Sequence, residues 1–251
     1  MSEKDYTVPA LVRGLTILEM FDSQRRSLTQ VEMAEAIGVT PTSLYRIVQT
    51  LTSMGYLKKV DTNTYELGSQ VVSRGFSYLA SREIVEIAAP YITHLRNSTS
   101  LSSHLAIREG TKSLYVFRAL ALQRVSVNVP VGTRFPCHTT AMGRALLVGM
   151  TADEIKALYQ GERLDGYPEP APRTLPELIG MCDKERVQGW SLHYSDYSTA
   201  IAVPLRNFAG EVIAAINVSG PDVIMHKQGV QDELIDILIS TAKEIMIQSG
   251  G

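Results

Sequence analysis

The sequence has little cysteine, little net charge and no long apolar run. Cys137 and Cys182 are its only cysteines among 251 residues, too few for a disulfide framework and without CxxC spacing. A net charge of −2 gives no global attraction to nucleic acid or anionic lipid, so such binding needs a local patch. No apolar stretch approaches the roughly 18 residues of a membrane helix, and the acidic start is unlike a signal peptide. We therefore expect a cytoplasmic protein that does not contact a membrane.

Common enzyme motifs are also missing. We find no GxSxG, P-loop, GxGxxG or HExxH pattern. Cys137 and His138 are adjacent, so their side chains diverge and cannot pair as nucleophile and base. We therefore expect neither enzyme activity nor a cofactor. What is present is the composition of an ordinary globular chain, 45% hydrophobic and 20% charged, with enough length for one large or two ordinary domains.

The stretch from Leu28 to Leu67 carries the signals of a helix-turn-helix. Thr29 and Glu32 have the spacing of a capping box, which starts a helix, and Gly38 permits the left-handed conformation that ends one. Thr40 and Pro41 then supply a second cap and a first helical residue. Next come two strand-like runs on either side of the polar turn 61–63. Together they predict a β-hairpin, the wing of a winged helix-turn-helix.

The second helix of this motif has one apolar and one polar face. Its apolar stripe at helical spacing consists of Leu44, Ile47, Val48, Leu51 and Met54. On the polar face, Arg46 can bind guanine and Gln49 can bind adenine through paired hydrogen bonds. Two helices and a hairpin also occur in many proteins that bind no DNA. Residues 36–60, however, contain three basic side chains and no acidic one, which favours DNA binding.

The remaining elements extend this pattern. A helix over 8–22, with an inner face of Leu11, Leu15, Leu18 and Phe21, completes the first core, and a linker helix over 68–82 has an apolar face suited to a second subunit. Further helices are predicted at 83–97, 139–148, 152–159, 174–189 and 230–247. Strands are predicted at 103–108, 113–119, 125–131, 200–205 and 211–219, with a loop over 191–197. Helices alternating with antiparallel hairpins indicate the α+β class.

Several sequence stretches together resemble one family. They include Arg13-Gly14-Leu15, Gly55-Tyr56-Leu57, the run from Pro136 to Leu147, Gly189-Trp190, and the run from Ala214 to Pro221. In this order they are similar to the IclR family of bacterial transcription regulators over nearly the whole chain. The resemblance implies a winged helix-turn-helix domain at 7–67, a linker helix at 68–82, and an effector-binding domain of GAF or profilin type at 83–251. It also implies homodimers or homotetramers bound to double-stranded operator DNA.

The expected DNA-contacting residues combine the polar helix face, its cap, the first helix and the wing. They are Arg13, Thr40, Thr42, Ser43, Tyr45, Arg46, Gln49, Lys58 and Lys59.

The second domain is expected to bind a small organic acid. Free N–H groups at a helix start near Thr139 suit a carboxylate, although Thr139 could simply be an N-cap. The family resemblance implies that the effector contacts His138, Thr139, Thr140, Ala141, Met142, His193, Tyr194, Ala200, Asn217 and Ser219. His193 stands where the family has an aspartate and Ala200 where it has a cysteine, so the effector can differ from better-known ones. An aromatic acid is the first expectation and a short keto acid the second.

Two alternatives remain for the second domain. It could serve only for oligomerisation, in which case its interior should be filled by apolar side chains. Cys137, His138, His193 and Asp196 are also of types that bind zinc, but they lack the local spacing of a zinc site, so we expect no metal.

Overall fold

The computed structural model describes residues 7–81, 83–121 and 126–249, and the chain divides into two compact units on either side of residue 82. The first unit contains α1 (Pro9–Glu19), β1 (Ser27–Thr29), α2 (Gln30–Ile37), α3 (Pro41–Ser53), β2 (Leu57–Asp61), β3 (Thr64–Leu67) and α4 (Ser69–Ala80). Its three strands form an antiparallel sheet in the order β1-β3-β2.

Local capping determines where α2 and α3 begin and end. The Thr29 hydroxyl accepts the Glu32 N–H at 3.3 Å, and Glu32 accepts the Thr29 N–H at 2.7 Å, which confirms the predicted capping box. Gly38 ends α2 at φ 63°, in the left-handed region. Thr40 caps α3 by accepting the Ser43 N–H, and Pro41 is the first residue of the helix. The predicted helix-turn-helix is therefore confirmed.

The core of the first unit differs from the prediction in α1. Ile17 and Phe21 are buried, with Gly14 against α3, whereas Leu11 is 61% exposed and Leu15 is also exposed. Apolar residues occupy two faces of α1, so periodicity alone did not identify the inner one. Met54 was also predicted to be buried and is exposed, because it follows the last residue of α3.

β1 was not predicted. Its three residues pair with β3, so the two-stranded wing gains a third strand. A strand of only three residues shows no detectable alternation of apolar and polar side chains, so the sequence pattern does not reveal β1.

The second unit is built on one antiparallel sheet of six strands in the order β6-β5-β4-β9-β8-β7. The elements are α5 (Glu83–Thr99), β4 (Ser102–Glu109), β5 (Lys112–Ala119), β6 (Arg134–Pro136), a 3-10 turn (Cys137–Thr139), α6 (Ala141–Leu147), α7 (Ala152–Leu158), α8 (Leu175–Gln188), β7 (Ser191–Ser195), β8 (Ser198–Arg206), β9 (Val212–Pro221), α9 (Asp222–Met225) and α10 (Val230–Gln248). Helices α5 and α10 pack against one another and the sheet, and α6 packs on the opposite side. This arrangement confirms the α+β class.

Three predictions for the second unit were wrong. The strand expected at 125–131 is irregular chain over 126–131, residue 125 lies outside the described residues, and the strand forms at Arg134–Pro136 instead. Alternating valines imitated a strand there. The loop expected at 191–197 is strand β7 and its turn to β8. The helix expected from Thr139 begins at Ala141, because Thr140 is its cap.

Among the glycines of the first unit, Gly68 lies closest to neighbouring backbone. A Cβ at this position would lie 2.1 Å from the carbonyl oxygen of Gly55, whereas a Cβ on Gly75 in α4 would meet nothing within 4 Å. The approach is held by the Gly68 N–H, which donates to Tyr56 at 2.8 Å.

We expect Gly68→Ala to lower the free energy of unfolding by about 1–3 kcal/mol, because backbone must move to admit the methyl group. The matched control Gly75→Ala should be neutral or stabilising by up to about 1 kcal/mol, since alanine favours a helix interior. Urea unfolding of both variants measures the difference. Equal stability of the two would contradict the close packing of Gly68.

Candidate DNA interface and effector site

Helix α3 presents a polar face that the fold leaves free. Leu44 and Val48 bury the inner side in the core. Along the outer side, the exposed residues are Thr42, Ser43, Tyr45, Arg46 and Gln49. Neither Arg46 nor Gln49 makes a side-chain hydrogen bond or ion pair with any residue that the structure describes. Their donors and acceptors are therefore available to a ligand.

The surroundings of this face carry the basic residues. Arg13 on α1 and Arg46 on α3 line one groove of about 660 Å³ between the two helices. Lys58 and Lys59 on β2 are both exposed, and because they are consecutive they lie on opposite faces of the ribbon. Lys58 pairs across the ribbon with Glu66, which reduces the positive potential on that side. Thr40 is also exposed, but its hydroxyl is engaged as the α3 cap.

In the second unit, the sheet face that packs against α6 carries a cluster of polar side chains. Strand pairing brings His193, Ala200 and Ser219 into one row across β7, β8 and β9. The adjacent row consists of Ser191, Ala202, Asn217 and His104 across β7, β8, β9 and β4. Alternation along each strand places all of these on the same face. Ala106, Ala202 and Ala215 keep the side chains there small, opposite Ala141 and Met142 of α6.

His104 and Asn217 form the inner end of this cluster. The Asn217 side-chain oxygen accepts the His104 backbone N–H at 3.1 Å and lies 3.0 Å from His104 Nδ1. Burial lowers the pKa of His104 to about 4, so its ring is neutral. Since the Asn217 oxygen can only accept, Nδ1 carries the hydrogen and Nε2 is an acceptor. This Nε2 has no hydrogen-bond partner within the described chain.

Arg144 forms the other end. It is 1% exposed, and its Nε donates to Glu185 at 2.8 Å while Nη2 donates to the Leu192 carbonyl at 2.5 Å. Ser191 donates to the second oxygen of Glu185 at 2.8 Å. Burial raises the pKa of Glu185, and the neighbouring Arg144 opposes that rise. The ion pair thus joins α6, α8 and β7.

Four buried polar atoms in this region lack hydrogen-bond partners among the described residues. They are His104 Nε2, Ser219 Oγ, His193 Nδ1 and Arg144 Nη1. An unpaired buried polar group costs about 1–3 kcal/mol, so a cluster of them is unusual in a purely structural core. Such a cluster is typical of a binding site.

The structure separates the remaining predicted effector residues into two groups. Ala141, Met142 and Ala200 lie with the cluster, since all three pack into the layer between α6 and the sheet. Tyr194 does not, because it alternates with His193 onto the other face, where its ring stacks edge-on against His226 at 5.5 Å. The structure therefore does not bring Tyr194 together with the other predicted effector residues. The sequence had predicted a loop where β7 forms.

The start of α6 also differs from the prediction. Thr139 donates its hydroxyl hydrogen to the Pro136 carbonyl at 2.9 Å, and Thr140 accepts the Gly143 N–H at 3.0 Å. His138 packs edge-on against Tyr159 and Tyr167 at 5.9 and 4.9 Å, in contact with the loop after α7. Its ring does not join the polar cluster.

Sequence reasoning missed Arg144 and Glu185. One signal was available for Arg144, which is the only charged residue within the otherwise small and apolar α6. Glu185 had no such signal, because it lies among the charged residues of α8.

The described residues contain neither a metal-binding group of side chains nor a membrane-spanning helix. Among them, no group of three or more histidine, cysteine or acidic side chains is arranged to hold a metal ion. Burial raises the pKa of the Cys137 thiol to about 12, so it is protonated. None of the helices in the described ranges combines the length and the hydropathy needed to cross a bilayer.

Comparison with known proteins identifies the family. A family model described as the C-terminal domain of bacterial transcriptional regulator IclR matches residues 76–247, and one for the IclR helix-turn-helix domain matches residues 10–61. The chain belongs to the IclR family of transcription regulators. The predicted family resemblance is thereby confirmed.

Individual relatives match over most of both chains. The Pca regulon regulatory protein of Pseudomonas putida is 30% identical over 96% of this chain and 84% of its own. The p-hydroxybenzoate hydroxylase transcriptional activator of Acinetobacter baylyi is 28% identical over 96% of this chain and 92% of its own. An IclR homologue from Microbacterium hydrocarbonoxydans, solved with 4-hydroxybenzoate, superimposes with a TM-score of 0.81 at 20% identity, covering 95% of this chain and 98% of its own.

We expect Arg46→Ala to cost roughly 1–3 kcal/mol of operator affinity and to relax specificity at one base pair, because the exposed guanidinium can pair with guanine. Affinities for operator and random DNA measure both effects. Arg163→Ala, an exposed arginine of the second unit, is the control and should bind like wild type. Equal losses on operator and random DNA would instead make Arg46 a phosphate contact.

We expect the double change of Lys58 and Lys59 to Ala to weaken binding to all DNA sequences, since each lysine releases about one counterion. The slope of log affinity against log salt concentration should become about 2 less steep. Titrations at several salt concentrations give the slope. Changing the exposed Lys184 and Lys243 to Ala removes the same charge elsewhere and should leave it unaltered. A slope that stays at the wild-type value in the wing variant would exclude the wing from the interface.

Proposed function

We propose that this regulator binds operator DNA through α3 and the wing, and that a small organic acid bound between α6 and the sheet modulates this binding. The observation that carries the second part is the cluster of unpaired polar atoms on the α6 face. His104 Nε2 and Ser219 Oγ are buried without a partner among the described residues. A ligand with polar groups would complete their hydrogen bonds.

The alternative, a domain that only oligomerises, predicts a different interior. Such a domain has no use for buried polar atoms that remain unpaired, and apolar side chains of similar size would be more stable. Here Asn217 and Ser219 stand on the central strand β9, where they are buried. Their presence therefore favours a ligand-binding role.

An aromatic acid is the first choice of effector. Tyr115, Phe135 and Met142 provide an apolar wall beside the polar cluster. The names of two relatives support this choice, since one activates p-hydroxybenzoate hydroxylase transcription and another was solved with 4-hydroxybenzoate. A short keto acid is the second choice, because the alanine-lined layer could also close around a smaller molecule.

Operator binding requires more than one recognition helix. One α3 reads only a few base pairs, so we propose a homodimer or homotetramer on two-fold operators with half-sites about one helical turn, or a multiple, apart. Within the first unit, α4 exposes Val72 and Phe76, the latter 67% exposed, as a surface for a second copy. The proposed function also implies a cytoplasmic location, where bacterial operator DNA lies.

We expect the double variant Asn217→Leu and Ser219→Ala to lose its response to ligand while keeping operator affinity without ligand nearly unchanged, because both side chains lie far in sequence from the DNA-binding unit. The readout is operator affinity with and without 4-hydroxybenzoate and a panel of other aromatic and keto acids. Ser103→Ala is a matched control, since Ser103 is also buried and unpaired among the described residues but lies on the other sheet face.

The control should respond like wild type. A normal response by the double variant would place the effector elsewhere. Wild-type protein whose operator affinity is unaffected by every acid in the panel would favour the oligomerisation alternative.

A further inference from the structure

We propose that Arg144 and His193 form the carboxylate-binding end of the effector site, and that His193 takes up a proton when the carboxylate binds. This inference rests on the proposed function, because it concerns the same effector site. It goes further by assigning one end of the site to the charged group of the ligand and the other end to an uncharged polar group.

Arg144 supplies a buried cation with a free donor. Its Nε and Nη2 are fixed by Glu185 and the Leu192 carbonyl, which orient the guanidinium. Its Nη1 is buried and has no hydrogen-bond partner in the described ranges. A guanidinium has five N–H donors and no acceptor, so Nη1 presents hydrogen-bond donors. A carboxylate oxygen is the acceptor that matches this donor best.

His193 lies close enough to Arg144 for their charges to interact. It follows Leu192, whose carbonyl Arg144 holds, and strand alternation directs it to the α6 face beside Ala200. Its Nδ1 is buried and unpaired among the described residues. Burial, and secondarily the charge of Arg144, lowers the pKa of His193 to about 4. Without a ligand the ring is therefore neutral at physiological pH.

Charge balance explains why binding should bring a proton. Arg144 and Glu185 already cancel, so a carboxylate entering this layer would add an unbalanced buried negative charge, which is costly. Protonation of His193 restores neutrality: the ring takes H⁺ from solvent, both nitrogens become donors, and the ligand stays a carboxylate. A nearby anion raises the pKa of a histidine, so the two events favour each other.

The groups around His193 leave no better proton acceptor near the anion. Its strand neighbours on β8 and β9 are Ala200 and Ser219, neither of which titrates. The charge of Arg144 on α6 acts on it, and Glu185 on α8 is engaged by Arg144 and Ser191. His104, three strands away on β4, is tied to Asn217.

The opposite end is suited to an uncharged group. His104 is neutral and offers Nε2 as an acceptor, which matches a hydroxyl donor rather than an anion. The start of α6 is a weaker anchor for the carboxylate, because Thr140 occupies the Gly143 N–H and the helix has only 7 residues.

The test measures binding without DNA. Calorimetry with benzoate, 4-hydroxybenzoate and the uncharged 4-hydroxybenzamide, in buffers of different ionisation enthalpy, counts the protons exchanged. We expect about one proton taken up per carboxylate, and affinity rising up to about tenfold for each unit that pH falls from about 7.5 to 5.5. This window lies between the low pKa of free His193 and its raised pKa in the complex, and above the pKa of the ligand. The amide should bind more weakly and without proton uptake.

Variants assign the effect to residues. His193→Gln should abolish proton uptake and the pH dependence, whereas His94→Gln, an exposed histidine on α5, should behave like wild type. Arg144→Ala would leave Glu185 buried and unpaired, so Arg144→Lys is used instead, with thermal unfolding to verify the fold. It should weaken carboxylate binding about tenfold or more and change amide binding far less, because it removes the fixed donor geometry.

Several results would overturn the inference. They are proton uptake that persists in His193→Gln, uptake lost only in His104→Gln, equal affinity for the acid and the amide, or no binding of either acid. Acid binding with proton uptake but without any change in operator affinity would leave this inference standing and would refute the proposed function. Conversely, an acid-dependent change in operator affinity with no proton exchange would refute only this inference.

Discussion

The buried ion pair between Arg144 and Glu185 is the interaction on which the second unit depends. It joins α6 to α8 and, through the Leu192 carbonyl, to β7. A buried pair of this kind contributes little net stability relative to an apolar replacement, because desolvation offsets the attraction. Removing one partner, however, typically costs about 3–5 kcal/mol, since a charge is then left buried. The pair therefore specifies where α6 lies more than it stabilises the fold.

The position of α6 in turn defines the layer between this helix and the sheet, where we propose that the effector binds. The helix covers the face on which alternate residues of β4, β9, β8 and β7 point, and small side chains such as Ala202 and Ala215 keep that layer thin. A one-residue change of register would exchange His193 for Tyr194 and move every polar group to the opposite face. The proposed site is thus a consequence of strand register and one buried cation rather than of a contiguous motif.

The DNA-binding unit could be predicted from sequence in detail because its signals are local. The helix caps at Thr29, Gly38 and Thr40 make hydrogen bonds within about one helical turn. Both partners of each contact are therefore close together in the sequence. The apolar faces of α1 were harder to assign, because burial there depends on Gly14 meeting α3.

The second unit was predictable only in outline. Arg144 and Glu185 are 41 residues apart, and their pairing has no periodicity that could reveal it. The sequence of strand β7 is polar at both ends and resembles a loop, so it does not reveal that Tyr194 points away from His193. Family resemblance drew attention to Asn217 and Ser219 without explaining why these residues stand there. The physical reason for these two residues is that strand pairing places them on the same sheet face as His104, which is far away in the sequence.

An effector can change DNA affinity only as far as it binds two states of the protein with different affinity. A coupling of about 1–3 kcal/mol is ordinary for such regulators, and it equals the cost of one or two unpaired buried polar groups. The layer under α6 contains four such groups in the described chain, so completing or breaking one or two of their contacts is energetically sufficient. Arg144 is held through Nε and Nη2, so a ligand bound to Nη1, as we propose, would act on a group that already links α6, α8 and β7. In that proposal the anchor for the ligand charge and the joint between these elements are the same side chain.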